Sequence, residues 1–330
     1  MAILRYIPLA VIAPMLMTGC YEDFTPDVDT KPVLCLNSMI TAGETIEVDV
    51  TRTWLYTDID SWQNHDVDDA VVTVYVNGTA VDDEYRAQEG DRIRIVAESG
   101  KYGMAEAEVT VPRRIEIKPI VWNAELTERW SNTRPEWEMN ADIRFNLSAD
   151  ITVCDRAEVA DYYHYAAAVY YPGMDDDSGM LMGSRVDMYT GQLNYRAEPI
   201  FSEHTEVIDA INGSDPDGFT FFTDRQFSGS EYTLHIRYDN MGYNVRSMKY
   251  DEQLFDSGIH VVMSTVSGSF YDWENFVWHV NNGAVTDIGS TGLGDAVWGY
   301  SNVSTGAGVV AARTISVYRI DLSEFLEKSI

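Results

Sequence analysis

The alternation of apolar and polar positions along this chain is that of short strands. Residues 32–40 are largely apolar, and 44–53 alternates through Ile46, Val48 and Val50, as a strand with one buried face does. Residues 69–76 run through Ala70, Val71, Val72, Val74 and Val76 and stop at Asn77-Gly78, a dipeptide suited to the positive φ of a tight turn. Stretches 81–87, 91–98 and 102–111 follow, the last carrying Met104, Ala105, Ala107, Val109 and Val111. Roughly six or seven strands at this spacing, with no helical period, predict an immunoglobulin-like β-sandwich over 32–112. It lacks the Cys-Trp-Cys core of antibody domains.

Pro112 and Pro119 bracket 113–118, which reads as a crossing between two units. Strand patterns resume at 139–147, 162–171, 231–238 and 258–266, separated by turn-rich loops at 172–179 and 212–218 that suit a ligand rim better than a core. One helix is predicted from the capping-box shape of Ser269-Phe270-Tyr271-Asp272 and the spacing of Phe270, Trp273, Val277 and Val280. Glycines crowd 283–308, a last strand is expected over 309–320, and 322–328 is a short amphipathic end. The fold class expected is all-β: the sandwich at 32–112, then a larger β-sandwich or barrel-like domain with one packed helix at 113–330.

The first thirty residues do not fit this pattern. Residues 1–6 carry a single cation, Arg5, and 7–17 are uncharged and interrupted by Pro8 and Pro14. A helix needs roughly 20 apolar residues to span a bilayer, so this run is too short to serve as one. It ends in Leu16-Met17-Thr18-Gly19-Cys20, small residues that fit a peptidase pocket followed by a thiol. The reading is a lipoprotein signal peptide over 1–19, cut between Gly19 and Cys20, with Cys20 as the lipid attachment site and 20–31 as a tether; the alternative is an ordinary signal with an incidental cysteine. A single acyl chain anchors marginally, so a durable hold takes two or three chains at about 0.8 kcal/mol per buried methylene.

Charge narrows the partners. With 53 Asp and Glu against 23 Lys and Arg, the formal charge is −30, and such a chain repels nucleic acid and anionic lipid surfaces. No nucleic-acid partner is expected. Acid concentrates at 57–91, including Asp58, Asp60, Asp66, Asp68, Asp69, Asp82, Asp83 and Glu84. These read as solvated loops and strand edges, with structural calcium as the alternative. Asp175-Asp176-Asp177 and Asp215-Pro216-Asp217-Gly218 read as turns on the same grounds. No other cofactor is expected.

No catalytic constellation emerges. Cys35 and Cys154 read as buried, unpaired thiols, and no CxxC or zinc spacing occurs. The histidines His65, His164, His204, His235, His260 and His279 form no metal motif, no serine lies in a GxSxG elbow, and 289–294 lacks the spacing and lysine of a phosphate loop. Among so many acids some pair meets glycosidase spacing by chance, so carboxylates alone argue nothing. Aromatics say more: Trp54, Tyr56 and Trp62 near the acidic loop and Trp122, Trp130 and Trp137 around the crossing are candidates for exposed stacking surfaces.

The order of Cys20, an acidic tether, Lys31-Pro32-Val33-Leu34-Cys35-Leu36-Asn37, Val76-Asn77-Gly78 and Val109-Thr110-Val111-Pro112 resembles a family of Bacteroidetes lipoproteins defined only as a domain of unknown function. The resemblance continues through Tyr162-Tyr163, the serine-rich lead into a Tyr-bearing helix at 267–271, and 300–308. Where that family commonly closes with Gly-Gly or Gly-Leu-Gly and an aromatic, this chain has Thr305-Gly306-Ala307-Gly308-Val309. The resemblance implies an outer-membrane, cell-surface lipoprotein encoded beside a TonB-dependent receptor, with Glu22-Asp23 resembling a surface-export signal, and it carries over no catalytic residue. The function expected is an accessory, non-enzymatic binding subunit of a TonB-dependent nutrient uptake system. The rivals are a surface hydrolase of glycan or peptide and a structural adhesin.

Overall fold

Strand formation follows the alternation residue by residue. In β1 (Leu34–Thr41) Leu34, Leu36 and Ile40 are fully buried, while Cys35, Asn37 and Met39 occupy the opposite face. The computed structural model describes residues 31–54, 65–133, 139–157, 159–170, 184–189, 198–202, 219–247, 256–282 and 299–330. The chain divides into Met1–Pro32 and Val33–Ile330, and the strands and helices described belong to the second unit.

After β1 come β2 (Asp49–Arg52), β3 (Val71–Val76), β4 (Thr79–Val81), β5 (Arg92–Ser99) and β6 (Gly103–Thr110). The middle of the chain supplies β7 (Glu116–Ile117), β8 (Val121–Thr133), β9 (Met139–Cys154), β10 (Tyr162–Tyr170), β11 (Ser184–Tyr189), β12 (Phe221–Thr223) and β13 (Glu231–Ser247). The C-terminal stretch holds β14 (Gly258–Val266), helix α1 (Gly268–Asn282), β15 (Val310–Asp321) and helix α2 (Ser323–Ser329). The fold is all-β with sandwich packing.

Three sheets result. One has the order β12-β10-β14-β15-β1-β2, antiparallel throughout except for the parallel pair of β1 and β15. A second runs β4-β3-β5-β6, and a third runs β11-β13-β9, with β7 and β8 both pairing along the far side of β9. The six-stranded sheet serves both of the others. Its β1 and the start of β15 pack Leu34, Leu36, Ile40, Val310 and Ala312 against Ile93, Ile95, Ala105 and Ala107 of the four-stranded sheet. Its β10, β14 and the end of β15 pack Tyr163, Tyr165, Val261, Met263 and Ile320 against Phe145, Leu147, Leu234 and Tyr238. On its opposite face α1 sets Phe270 and Trp278 on Phe219, Phe221, Val266 and Ala311.

Several expectations shift in detail. Of the stretch 81–87, Val81 ends β4 and the rest is turn with one isolated bridge, Arg86 to Thr45: Asp91 accepts hydrogen bonds from Tyr85 Oη (2.7 Å), Asn77 Nδ2 (2.9 Å) and the Gln88 N–H (2.8 Å), which bends the chain there. The crossing at 113–118 contains β7, and β8 follows it unannounced, because Val121, Trp122, Leu126 and Trp130 are all exposed and the strand shows no buried alternation. The helix cap is Ser267, whose Oγ accepts from the Phe270 N–H at 3.3 Å, while Ser269 Oγ donates to the Val310 carbonyl at 2.9 Å. The amphipathic end is a second helix, α2, with Leu326 buried. Across position 112, the expected boundary between domains, β15 returns to pair with β1.

That return requires glycine. Residues 304–309 extend the parallel ladder onto β1, with Ala307 N–H donating to the Leu34 carbonyl (2.9 Å) and Leu36 N–H to the Ala307 carbonyl (2.8 Å). A Cβ on Gly306 would lie 2.6 Å from Leu34 O, and one on Gly308, whose φ is +111°, would lie 2.2 Å from Leu36 O. Gly308→Ala is therefore expected to cost about 2–4 kcal/mol. Gly299→Ala, where nothing lies within 4 Å of the added carbon, serves as the control in urea denaturation; equal midpoints for the two variants would show that the close approach is not obligatory.

A second expectation concerns pH. His164 stacks on Phe221 with centroids 4.2 Å apart, and burial together with the positive Arg313 pushes its imidazole down to about 4. The folded state thus favours the neutral ring, so its contribution is present above about pH 6.5 and lost as pH falls toward 4, on the order of 3 kcal/mol. His164→Phe keeps a ring at this position and cannot titrate. Urea midpoints measured between pH 7 and pH 4 should fall less steeply for the variant than for the native chain, and identical slopes would remove His164 as the cause.

Candidate binding cleft

A concavity opens where the sheets meet, a cleft of about 930 Å³. Its walls come from the end of β6 and the crossing (Glu108 to Arg113), the β9–β10 connection (Arg156 to Asp161), Tyr162 of β10, and Val266 to Ser269 at the junction of β14 and α1. These pieces are remote in sequence, and each is held by identifiable bonds.

The crossing is fixed from both sides. The Val111 N–H donates to the Asp91 carbonyl (2.9 Å) and its carbonyl accepts from Gly90 N–H (2.8 Å), while Thr314 Oγ1 of β15 donates to the Pro112 carbonyl at 2.5 Å. Of the two arginines that follow, Arg114 is held by Glu89, through its backbone N–H at 2.9 Å and its Nε at 3.3 Å. Arg113 lies over Gly90, its Nε 3.7 Å from where a Cβ on that glycine would stand. No ion pair or hydrogen bond joins the Arg113 guanidinium to any described residue.

The opposite wall is pinned at its two ends. Asp155 accepts from the Gly229 N–H (2.7 Å) and from the Tyr163 hydroxyl. Asp161, 5 % exposed, receives Arg156 in a fork, Nε at 3.2 Å and Nη2 at 2.5 Å. Burial pushes the Asp161 carboxyl above the usual carboxylate range, and the guanidinium pulls it back without cancelling the rise. On the α1 wall Ser267 Oγ accepts from the Ala312 N–H (3.0 Å), and Asn302 exchanges hydrogen bonds with Val310 in both directions (2.8 and 2.9 Å). Glu108 at the rim pairs with Arg92 at 3.4 Å. The charged lining is thus spent on the fold, with Arg113 the exception.

A smaller hollow of about 550 Å³ lies between β8 and α2, where Lys328 is already paired with Glu324 and Asp321 accepts from Ser323.

The candidates drawn from the sequence fall elsewhere. Gly19, Cys20, Glu22 and Asp23 lie outside the described residues, as do Tyr56, Asp58, Asp60, Trp62, Trp137, His204, the acidic loops at 172–179 and 212–218, and the glycine run 289–294. Of the acidic stretch, Asp69 accepts from Ser99 Oγ at 3.1 Å and Asp91 staples its turn. Among the described residues no three His, Cys, Asp or Glu side chains are grouped so as to hold a metal ion. Cys35 and Cys154 are free thiols, each only half buried because each sits on the outer face of its strand. Trp54 is exposed and stacks on His65 at 3.9 Å, and Trp122 and Trp130 are exposed on β8. His235 meets Asp150 at 2.7 Å, His260 stacks on Tyr170, and His279 Nδ1 donates to the Asn275 carbonyl at 2.7 Å.

Comparison of the chain with family models, with curated proteins and with solved structures finds no match. The cleft therefore stands on its own geometry. Thr314→Val keeps the shape of the clamp on Pro112 but leaves that carbonyl without its donor. A loss of about 1–3 kcal/mol in urea denaturation is expected, and an unchanged midpoint would show that the crossing is held without it.

Proposed function

We propose that this protein is a lipid-anchored lipoprotein of the outer-membrane surface that acts as an accessory binding subunit of a TonB-dependent nutrient uptake system. The observation that carries the reading is the leader: an apolar run too short to span a bilayer, Thr18-Gly19 before Cys20, and Glu22-Asp23 opening an acidic tether. The cleft between the sheets supports the binding role, since a concavity of about 930 Å³ is in the range that holds small ligands. Its two buried or rim carboxylates, Asp161 and Glu108, pair with Arg156 and Arg92.

One feature favours a second reading, a structural or adhesive subunit. Strand β8 runs for 13 residues along the edge of its sheet, with Val121, Leu126 and Trp130 exposed. Exposed edges pair readily with other chains. A register shift between Leu126 and Glu128 and the charges of Glu125, Glu128 and Arg129 blunt this edge, so it ranks second.

Affinity capture from gently solubilised outer membranes, with the native chain and Cys20→Ala side by side, tests the reading. The native chain is expected in the membrane fraction together with a stoichiometric β-barrel transporter, and the variant in the soluble fraction. Equal membrane retention of both would overturn the anchor. Recovery of the native chain with further copies of itself and no transporter would favour the adhesive reading.

A further inference from the structure

We propose that the cleft takes a ring-bearing organic carboxylate, received by the guanidinium of Arg113. The inference rests on the reading of this chain as a binding protein and adds the chemistry of what it binds. Lining groups that could recognise a ligand are mostly committed: Ser267, Ser269 and Asn302 to the backbone of β15, Arg156 to Asp161, and Glu108 to Arg92. Arg113 alone among the charged lining residues has no partner among the described residues, in a chain where acids outnumber bases more than two to one. A cation on such a surface is surrounded by potential carboxylate partners, yet its basic neighbour, Arg114, has taken Glu89 and Arg113 has been left facing the cleft.

Its backbone is also fixed in advance. Pro112 restricts the chain immediately before it, Thr314 holds the Pro112 carbonyl, and the bare face of Gly90 lets the side chain lie flat. The planar fork of a guanidinium there can meet a carboxylate with two parallel hydrogen bonds. The accessible remainder of the walls is apolar or aromatic, through Pro112, Ala157, Val159, Ala160 and Tyr162, and offers a ring a face to lie on. A cationic ligand would meet Arg113 unscreened, and a neutral one would leave it unused.

Two matched pairs of probes, benzoate with benzamide and glucuronate with glucose, test this by calorimetric or NMR titration of the full chain in about 0.15 M salt, where the long-range repulsion of an acidic protein is screened beyond about 8 Å. At least one acid is expected to bind about tenfold or more tightly than its neutral partner, and which acid does so separates an aromatic acid from a sugar acid as the source of the carboxylate. Arg113→Gln should abolish the preference, Arg113→Lys should retain some of it, and Arg114→Gln should leave it intact. Arg113 makes no contact that the fold uses, so unchanged melting of Arg113→Gln is expected alongside. Equal binding of acid and neutral partner in both pairs, binding of neither acid, or a preference that survives Arg113→Gln would overturn the proposal. If the acids fail while a transporter is still captured with the native chain, the ligand chemistry falls and the accessory role stands; if an acid binds through Arg113 and no transporter is captured, the reverse holds.

Discussion

The parallel ladder between β1 and β15 is the contact on which the rest of this structure depends. β15 gives Val310 and Ala312 to the core over the four-stranded sheet, Ala311 to the core under α1, and Ile320 to the core over β9 and β13. Side chains at successive positions of a strand face opposite ways, so one strand can feed cores on both sides of its sheet. Removing β15 would open all three cores at once. The ladder joins residues about 270 positions apart, as in the pair Ser38 and Val310, and such closure is entropically costly until the intervening chain is ordered. The two glycines before β15 are the local condition for it, since any side chain there would strike the backbone of β1.

Strand β10 and its neighbours show how the sheet tolerates glycine elsewhere. Gly258 opens β14 directly opposite Tyr170 of β10, and a Cβ there would lie 2.8 Å from the tyrosine ring and 2.1 Å from Ile320 O. The ring covers the bare backbone, stacks on His260 at 4.6 Å, and has the Arg319 guanidinium 4.1 Å from its centroid. This is a cross-strand rescue of a glycine by an aromatic side chain, and it leaves Arg319 able to reach Asp256 as well. The cationic side chains described are mostly used in this way, as ties to nearby acids at a surface of strong negative charge, where each exposed pair is worth little alone.

How much of this was legible in the sequence depended on burial. Strands with one buried face, such as β1, β5 and β6, declared themselves through alternation, because their burial and their hydrophobicity coincide. β8 did not, since its apolar residues are exposed and pairing with β9 rather than a core holds it in place. The tyrosine pair Tyr162-Tyr163 stood out in the sequence, and the structure divides it between the α1 face and the main core. The cleft was illegible. Its lining comes from five separated segments, and nothing in Arg113-Arg114 says that one arginine would be held by Glu89 and the other left facing the cleft. The nearest signal was a pair of adjacent arginines directly after a proline in a chain so rich in acid. The glycines at 306 and 308 were visible as a motif, but their reason, close approach to β1, required the ladder.

The junction between the two sandwiches differs chemically from the sandwiches themselves. Both cores are built from aliphatic and aromatic side chains, whereas the strip of β14 and β15 between them is hydroxylic: Thr265, Thr314 and Ser316 are buried, and Thr265 Oγ1 and Ser316 Oγ have no hydrogen-bond partner among the described residues. Each such group left unsatisfied costs about 1–3 kcal/mol, so the strip contributes less to stability than the apolar surfaces on either side. Thr314 is the member that found a partner, and the Pro112 carbonyl it binds lies in the wall of the cleft. The cleft thus opens beside this hydroxylic strip, with one wall carried by each sandwich. A ligand seated there would bridge the two, and because it would bind only when both walls are in place, its binding free energy would add directly to the stability of their docking.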